Sequence, residues 1–181
     1  MIFTETKLKG CFIIEPKIFN DERGYFLESF NKERFNKGIS QEVHFVQDNQ
    51  SFSNKGVIRA LHYQTGKYAQ AKLVRVLSGT VLDVAVDLRK NSQTFGAHIA
   101  IELSGKNKKQ LFIPRGFGHG FAVLSNTAEF FYKCDNYYKK EAEGGIIYND
   151  SSLKIDWGLA KNEIMVSEKD LVLPTLQNAV L

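Results

Sequence analysis

The stretch Val57-Ile58-Arg59-Ala60-Leu61-His62-Tyr63-Gln64 sets two groups capable of chemistry inside an otherwise apolar run. Its β-branched and apolar content, opened by Gly56, reads as a short strand. Burying a guanidinium and an imidazole is expensive unless each is paired or used. An imidazole is also the side chain best placed to move a proton near pH 7. A hydrogen-bonded core histidine and an ion-paired arginine would give the same pattern, so other residues must decide between structure and catalysis. The spacing adds a constraint. Residues three apart on a regular strand face opposite sides. For Arg59 and His62 to meet one ligand, a bulge or a strand end must re-aim one of them.

The elements that would position these groups are mostly strands. Phe12–Glu15 reads as a first strand, stopped by Pro16. Asn20, Asp21 and Gly24 mark a turn, followed by a strand over Tyr25–Phe30 that Arg23 and Glu28 bracket. Asn31 is placed to cap a short helix, Lys32–Asn36, ended by Gly38. Val43–Gln47 reads as a strand running into Asp48-Asn49-Gln50-Ser51, a polar segment with ligand-binding side chains. Lys72–Leu88 carries the strongest β signal. Lys72, Val74 and Val76 share one face, and Leu73, Arg75 and Leu77 the other. Ser78-Gly79 is expected to turn the chain so that Val81–Leu88 returns as a hairpin. Phe95–Leu103 reads as a strand, and Ser104–Lys109 as a loop whose lysines, Lys106, Lys108 and Lys109, form a solvated hairpin tip. Leu111–Pro114 leads into Arg115–Phe121, where Gly116, Gly118 and Gly120 allow tight backbone geometry around His119. Ala128–Cys134 is a strand with Phe130, Tyr132 and Cys134 on one face. Ser167 is placed to cap a helical turn through Asp170. Many short strands with regular turn signals argue a β-sandwich or barrel, one domain over residues 1–181. Such small barrels hold one ligand in a lumen lined by alternate residues of each strand.

Composition bounds the function. A chain of 181 residues can bury roughly 70% of its extended-chain surface, so it needs no disulfide or metal staple. Its formal charge of +4 and pI near 9.0 suit an anionic ligand. They fall short of a nucleic-acid footprint, which wants clustered basic residues with base-stacking aromatics. Cys11 and Cys134 are too few for a secreted disulfide framework. Met1–Gly10 has no apolar core of a signal peptide, and no apolar run reaches the length of a membrane span. The cytoplasm is the expected compartment.

Several motifs in order resemble one family: Arg23-Gly24-Tyr25-Phe26-Leu27-Glu28, Gln47-Asp48-Asn49, Arg59 through Gln64, Pro114 through Phe121, Tyr132-Lys133, Tyr138, Glu143, Asn149-Asp150, Ile155-Asp156-Trp157 and Lys169-Asp170. Across nearly its whole length the chain resembles the dTDP-4-dehydrorhamnose 3,5-epimerases, metal-independent jelly rolls of the cupin type. Ala60 stands where that family usually has glycine, Tyr148 where it has tryptophan, and Ser151 where proline is common. None of these positions carries chemistry in the family.

The resemblance implies an all-β cupin-type jelly roll with a few short helices, no cofactor and no metal. Its substrate would be dTDP-4-dehydro-6-deoxy-D-glucose, inverted at the two carbons flanking the keto group through enolates, in the pathway to dTDP-L-rhamnose and cell-surface polysaccharide. It implies His62 as base, with Asp170 fixing its tautomer, Tyr132 as acid, and Lys72 holding the enolate oxygen. Arg59 and His119 would bind the diphosphate, and Tyr138 would stack on thymine. Arg23, Glu28, Gln47, Asn49, Glu143 and Lys169 would complete the nucleotide and sugar contacts, some from a partner subunit, which implies a homodimer. Read without the resemblance, Asp170 is better taken as a helix-end charge in a polar C-terminal turn, Tyr132 can be a core tyrosine, and Lys72 a strand-end cation reaching for solvent.

Rival readings differ in testable residues. A metal-dependent cupin oxygenase uses a His-x-His pair, but Gln64 stands two after His62, and only His44, His62, His98 and His119 exist. A non-catalytic sugar-nucleotide module would keep Arg59, His119 and Tyr138 without needing His62, Asp170, Tyr132 and Lys72 together. A single-site epimerase or ketoisomerase of a related dTDP-4-keto sugar would share all of them.

Overall fold

Side-chain alternation along each strand decides which face meets the core, and here it builds two facing sheets. The computed structural model describes residues 1–181. In chain order the strands are β1 (Ile2–Glu5), β2 (Phe12–Glu15), β3 (Ile18–Asp21), β4 (Gly24–Leu27), β5 (Gln47–Asn54), β6 (Val57–Gln64), β7 (Lys72–Ser78), β8 (Thr80–Asp87), β9 (His98–Ser104), β10 (Gln110–Ile113), β11 (Phe117–Val123), β12 (Thr127–Cys134), β13 (Glu143–Gly145) and β14 (Met165–Val166). Helix α1 spans Lys32–Ile39 and α2 Glu168–Leu171. One sheet has the order β1-β2-β10-β7-β12-β5, the other β13-β6-β11-β8-β9, with β14 added in parallel to β6 and β3–β4 standing apart as a two-stranded hairpin. This is a jelly roll. No helix is long and apolar enough to cross a membrane.

Val74 and Val76 of β7, Val81 and Ala85 of β8, Phe121 of β11 and Phe130 of β12 pack between the sheets. A second core covers the back of the sheet that holds β6, β11 and β8, where Ile58, Leu61, Val84, Val86 and Ala122 meet Ile146, Leu153 and Trp157 of the later chain. This double burial explains why β8 reads as a continuous apolar run. A third cluster, with Phe35 and Ile39 of α1 against Leu73 and Phe112, covers the outer face of the sheet that holds β7 and β10.

Several boundaries differ from the sequence reading. β1 has no strong sequence signal; it exists by pairing with β2, and its Phe3 ring packs where a side chain on Gly38 would be. That close approach keeps Gly38 inside α1, which runs to Ile39 and closes on Ser40 at φ 53°. The strand expected over Tyr25–Phe30 stops at Leu27, because Glu28 turns to Arg34 and Asn31 at the start of α1. Val43–Val46 is not a strand: Asn36 of α1 takes the Val43 N–H, and Phe45 packs under the helix. The polar run after it is a full strand, β5, held by its ladder to β12 despite poor β-formers. Lys72–Leu88 is not a hairpin. β7 pairs with β10 and β12, β8 with β11 and β9, and Gly79 at φ 80° carries the chain between sheets. Likewise Lys106–Lys109 crosses between sheets rather than tipping a hairpin, and Lys108 donates to the Tyr25 hydroxyl at 2.6 Å. The strand expected from Phe95 begins at His98, after a turn held by Asp87.

Candidate active site

A cavity of about 700 Å³ opens between the two sheets. β6 supplies Arg59 and His62 to it, and the strand does so by an irregularity. On β11, His119 pairs with His62 and Phe121 with Arg59, so two residues of β6, Ala60 and Leu61, oppose Gly120 alone. This bulge turns both side chains to the cavity while Ala60 and Leu61 stay buried. Gly120 is needed opposite it: a Cβ there would lie 2.5 Å from the Ala60 Cβ and 2.7 Å from the Arg59 carbonyl oxygen. The sequence spacing demanded such a feature, and it is present.

His62 Nε2 lies 3.1 Å from Asp170 Oδ2, and its Nδ1 lies 4.0 Å from Glu143 Oε1. Ser167 caps α2 by accepting the Asp170 N–H, as its position suggested. Burial of Asp170 disfavours its charge, but hydrogen bonding and attraction to His62 outweigh burial and hold the carboxyl below its ordinary range. The opposite wall comes from the other sheet, through β7 and β12. Lys72 and Tyr132 both face the cavity, with Lys72 Nζ 5.7 Å from the Tyr132 ring centroid. Burial pulls Lys72 below the usual lysine value, against opposing attraction from Cys134 and Asp83. Burial also pushes the Tyr132 phenol up, so it stays protonated at neutral pH.

At the cavity mouth Glu143 accepts from Lys169 Nζ at 2.7 Å and from the Tyr138 hydroxyl at 2.9 Å. Burial works against its charge, but these two bonds outweigh it and hold the Glu143 carboxyl below its ordinary range. Asn49 lines the cavity on β5. Gln47 stands behind it, donating to Asn49 Oδ1 at 3.0 Å and accepting the Tyr138 N–H at 3.2 Å. Arg59 Nε donates to Ser53 Oγ at 3.2 Å. Two expected residues lie elsewhere. Arg23 sits on the exposed β3–β4 turn, paired with Asp21, and Glu28 pairs with Arg34 at 3.0 Å. Neither reaches this cavity, because the hairpin leaves both sheets.

Some site residues escaped the sequence reading. Asp83 is fully buried and holds His119 Nε2 at 2.9 Å. Its Oδ1 has no partner. An aspartate at the centre of the apolar run Val81–Leu88 was the available signal. Burial lowers His119 and Asp83 opposes it, the net direction being down. Phe121 and Phe130, stacked at 4.3 Å, and the β14 residues Met165 and Val166 supply apolar wall. No group of three His, Cys, Asp or Glu side chains is gathered as metal ligands.

A family model described as dTDP-4-dehydrorhamnose 3,5-epimerase matches residues 5–178. The chain belongs to the dTDP-4-dehydrorhamnose 3,5-epimerase family. The Salmonella typhimurium epimerase of that name is 49% identical over 181 residues, covering 100% of this chain and 98% of its own. The crystal structure of an Elizabethkingia anophelis member is 55% identical, with a TM-score of 0.94 over 97% of this chain and 96% of that one. A Legionella pneumophila dTDP-6-deoxy-D-glucose-3,5-epimerase, solved in complex with dTDP-4-keto-L-rhamnose, is 49% identical with a TM-score of 0.93, covering 97% and 93%. Membership in this epimerase family fits a cavity whose two walls come from different sheets, since inversion needs groups on both faces of one carbon.

Proposed function

We propose that the chain, working as one domain, is a cofactor-independent dTDP-4-dehydrorhamnose 3,5-epimerase acting on dTDP-4-dehydro-6-deoxy-D-glucose. One observation carries the assignment of roles: His62, backed by Asp170, stands on one sheet, and Tyr132 and Lys72 stand on the other, around one cavity. His62 removes the proton from a carbon beside the C4 keto group, and the electron pair moves onto the keto oxygen as an enolate. The Lys72 ammonium faces that oxyanion, and Asp170 balances the imidazolium. Tyr132 returns a proton to the same carbon from the opposite face. The phenolate then regains a proton and His62 loses its own to solvent, which resets the site. The same sequence serves C3 and C5. Arg59 and His119 bind the diphosphate, Tyr138 the thymine, and Gln47, Asn49, Glu143 and Lys169 order the mouth of the cavity.

Arg23 and Glu28 belong, in this reading, to the cavity of a second copy in a homodimer. Support comes from the hairpin itself, whose Phe19, Tyr25 and Phe26 are more than half exposed and call for cover. Two unpaired buried cysteines support a reducing compartment, and we place the enzyme in the cytoplasm.

Proton NMR of the dTDP-4-keto-6-deoxy sugar in D₂O tests the assignment. Deuterium entering at C3 and C5, and abolished by His62→Ala, is the expected result. General base loss is worth about 10²–10⁴-fold. Nucleotide binding without exchange at either carbon would leave only a sugar-nucleotide binding module.

A further inference from the structure

We infer that segment 172–181 is a strap that positions Asp170, and that Asp150 is its anchor. The geometry is independent of the epimerase reading; only its consequence for turnover rests on that reading.

α2 has four residues, too few to hold its own shape. From its N-terminal side it is fixed by the Ser167 cap and by Met165, whose N–H meets the Gly56 carbonyl at 2.9 Å. On its C-terminal side Leu171 and Val172 are 50% and 81% exposed, so packing there contributes little. Order resumes at Leu173, whose methyls fill the space where a Cβ on Gly145 would lie. Gly145 is the residue paired with His62. The Pro174 carbonyl then accepts the Ile147 N–H at 2.9 Å, and the Leu176 N–H donates to Asp150 Oδ2 at 2.7 Å. Farther on, the Tyr63 hydroxyl donates to the Val180 carbonyl at 3.0 Å. The strap is therefore tied to the residue after His62 and to the segment that follows the strand beside it.

Asp150 suits this task. It is 5% exposed, and its Oδ1 accepts the Ser152 N–H, the Ser152 hydroxyl and the Leu153 N–H, which leaves Oδ2 aimed at the strap. Burial opposes its charge, but these bonds outweigh it and keep the carboxyl ionised. A carboxylate that must sit 3.1 Å from an imidazole tolerates little play, and a misplacement of about 1 Å can cost 10²-fold in rate.

The test pairs two variants of the full chain. Asp150→Asn keeps Oδ1 and its three donors but presents an amide to the Leu176 N–H. Leu176→Pro removes the same bond from the other side. It stands first in a 3₁₀ turn after an extended Thr175, a position that tolerates proline. The readout is the ¹⁵N chemical shift of the His62 ring in the substrate-free protein, which reports whether Nε2 is bonded to a carboxylate. We expect it to move toward the unpaired value in both variants, with kcat down about 10- to 100-fold and KM changed far less. The double variant should be no worse than the poorer single one, as two breaks of one bond must be. Lower thermal stability with an unmoved ring shift would overturn the strap. A moved ring shift with unchanged kcat would spare the strap and count against His62 as base.

Discussion

Inversion requires that abstraction and return of the proton be done by different groups, and Tyr132 is where they can be separated. It shares a sheet face with Phe130, whose ring lies 6.1 Å away, and burial holds its phenol neutral. Tyr132→Phe keeps the ring and removes the proton. With His62 and Asp170 intact, the variant should still exchange deuterium into the starting sugar, because His62 can return what it took from the same face. Inversion should fall by about 10²–10⁴-fold. NMR in D₂O shows both at once, and loss of exchange together with inversion would mean that Tyr132 is needed for abstraction itself. At this scale the sequence was most legible, since His62, Lys72, Tyr132 and Asp170 all face one cavity. It was least legible for Asp83, whose role depends on a neighbour 36 positions away on another strand.

At the scale of elements the bulge in β6 is the decisive device. Gly120→Ala would drive a methyl into Ala60, so the strands must part or the bulge must straighten. Overpacking of this kind costs about 1–3 kcal/mol. Because Arg59, His62 and His119 all sit within two residues of the contact or its ladder, turnover should fall more steeply than stability, as urea unfolding beside kcat would show. The corner between β8 and β9 depends on Asp87, whose buried carboxylate accepts from Arg89, Ser92 and Thr94. Burial opposes its ionisation, yet those bonds win and depress its pKa. The stability it contributes is therefore complete above the unfolded aspartate value, about 3.9, and is lost as pH falls through the folded value. Asp87→Asn should cost about 1.5–3 kcal/mol at pH 7, the worth of hydrogen bonds to a charged group. Urea unfolding should find a smaller gap between the two proteins at pH 3; an equal gap would show that Asp87 is not the acid-sensitive group. Strand identity was readable from alternation, but strand partners were not. β7 and β8 are joined by one glycine and look like a hairpin, yet each finds its neighbours from distant segments. A polar strand such as β5 carries no apolar period, because one face meets a wet cavity and the other meets solvent.

For the whole molecule, the question is which chain completes which cavity. Arg23 is 90% exposed at the tip of a hairpin that belongs to neither main sheet, while the cavity it was expected to serve lies between those sheets. If the hairpin reaches a second copy, then Arg23→Ala and His62→Ala damage opposite members of each cavity. A mixed dimer would hold one cavity with neither change and one with both. In a closed two-fold dimer formed at random from equal amounts, half the dimers are mixed and half their cavities are intact. Mixing two nearly inactive variants under conditions that allow subunit exchange should then restore about a quarter of wild-type turnover. Either variant alone, at the same total concentration, should restore none. If Arg23 instead serves its own cavity through a folded-back hairpin, each mixed dimer carries two damaged cavities, one from each variant, and mixing gains nothing. The same preparations, run by sedimentation, separate this outcome from a failure to dimerise. Recovery in the mixture would also explain why the apolar side chains of β3 and β4 stand in solvent when the chain is viewed by itself.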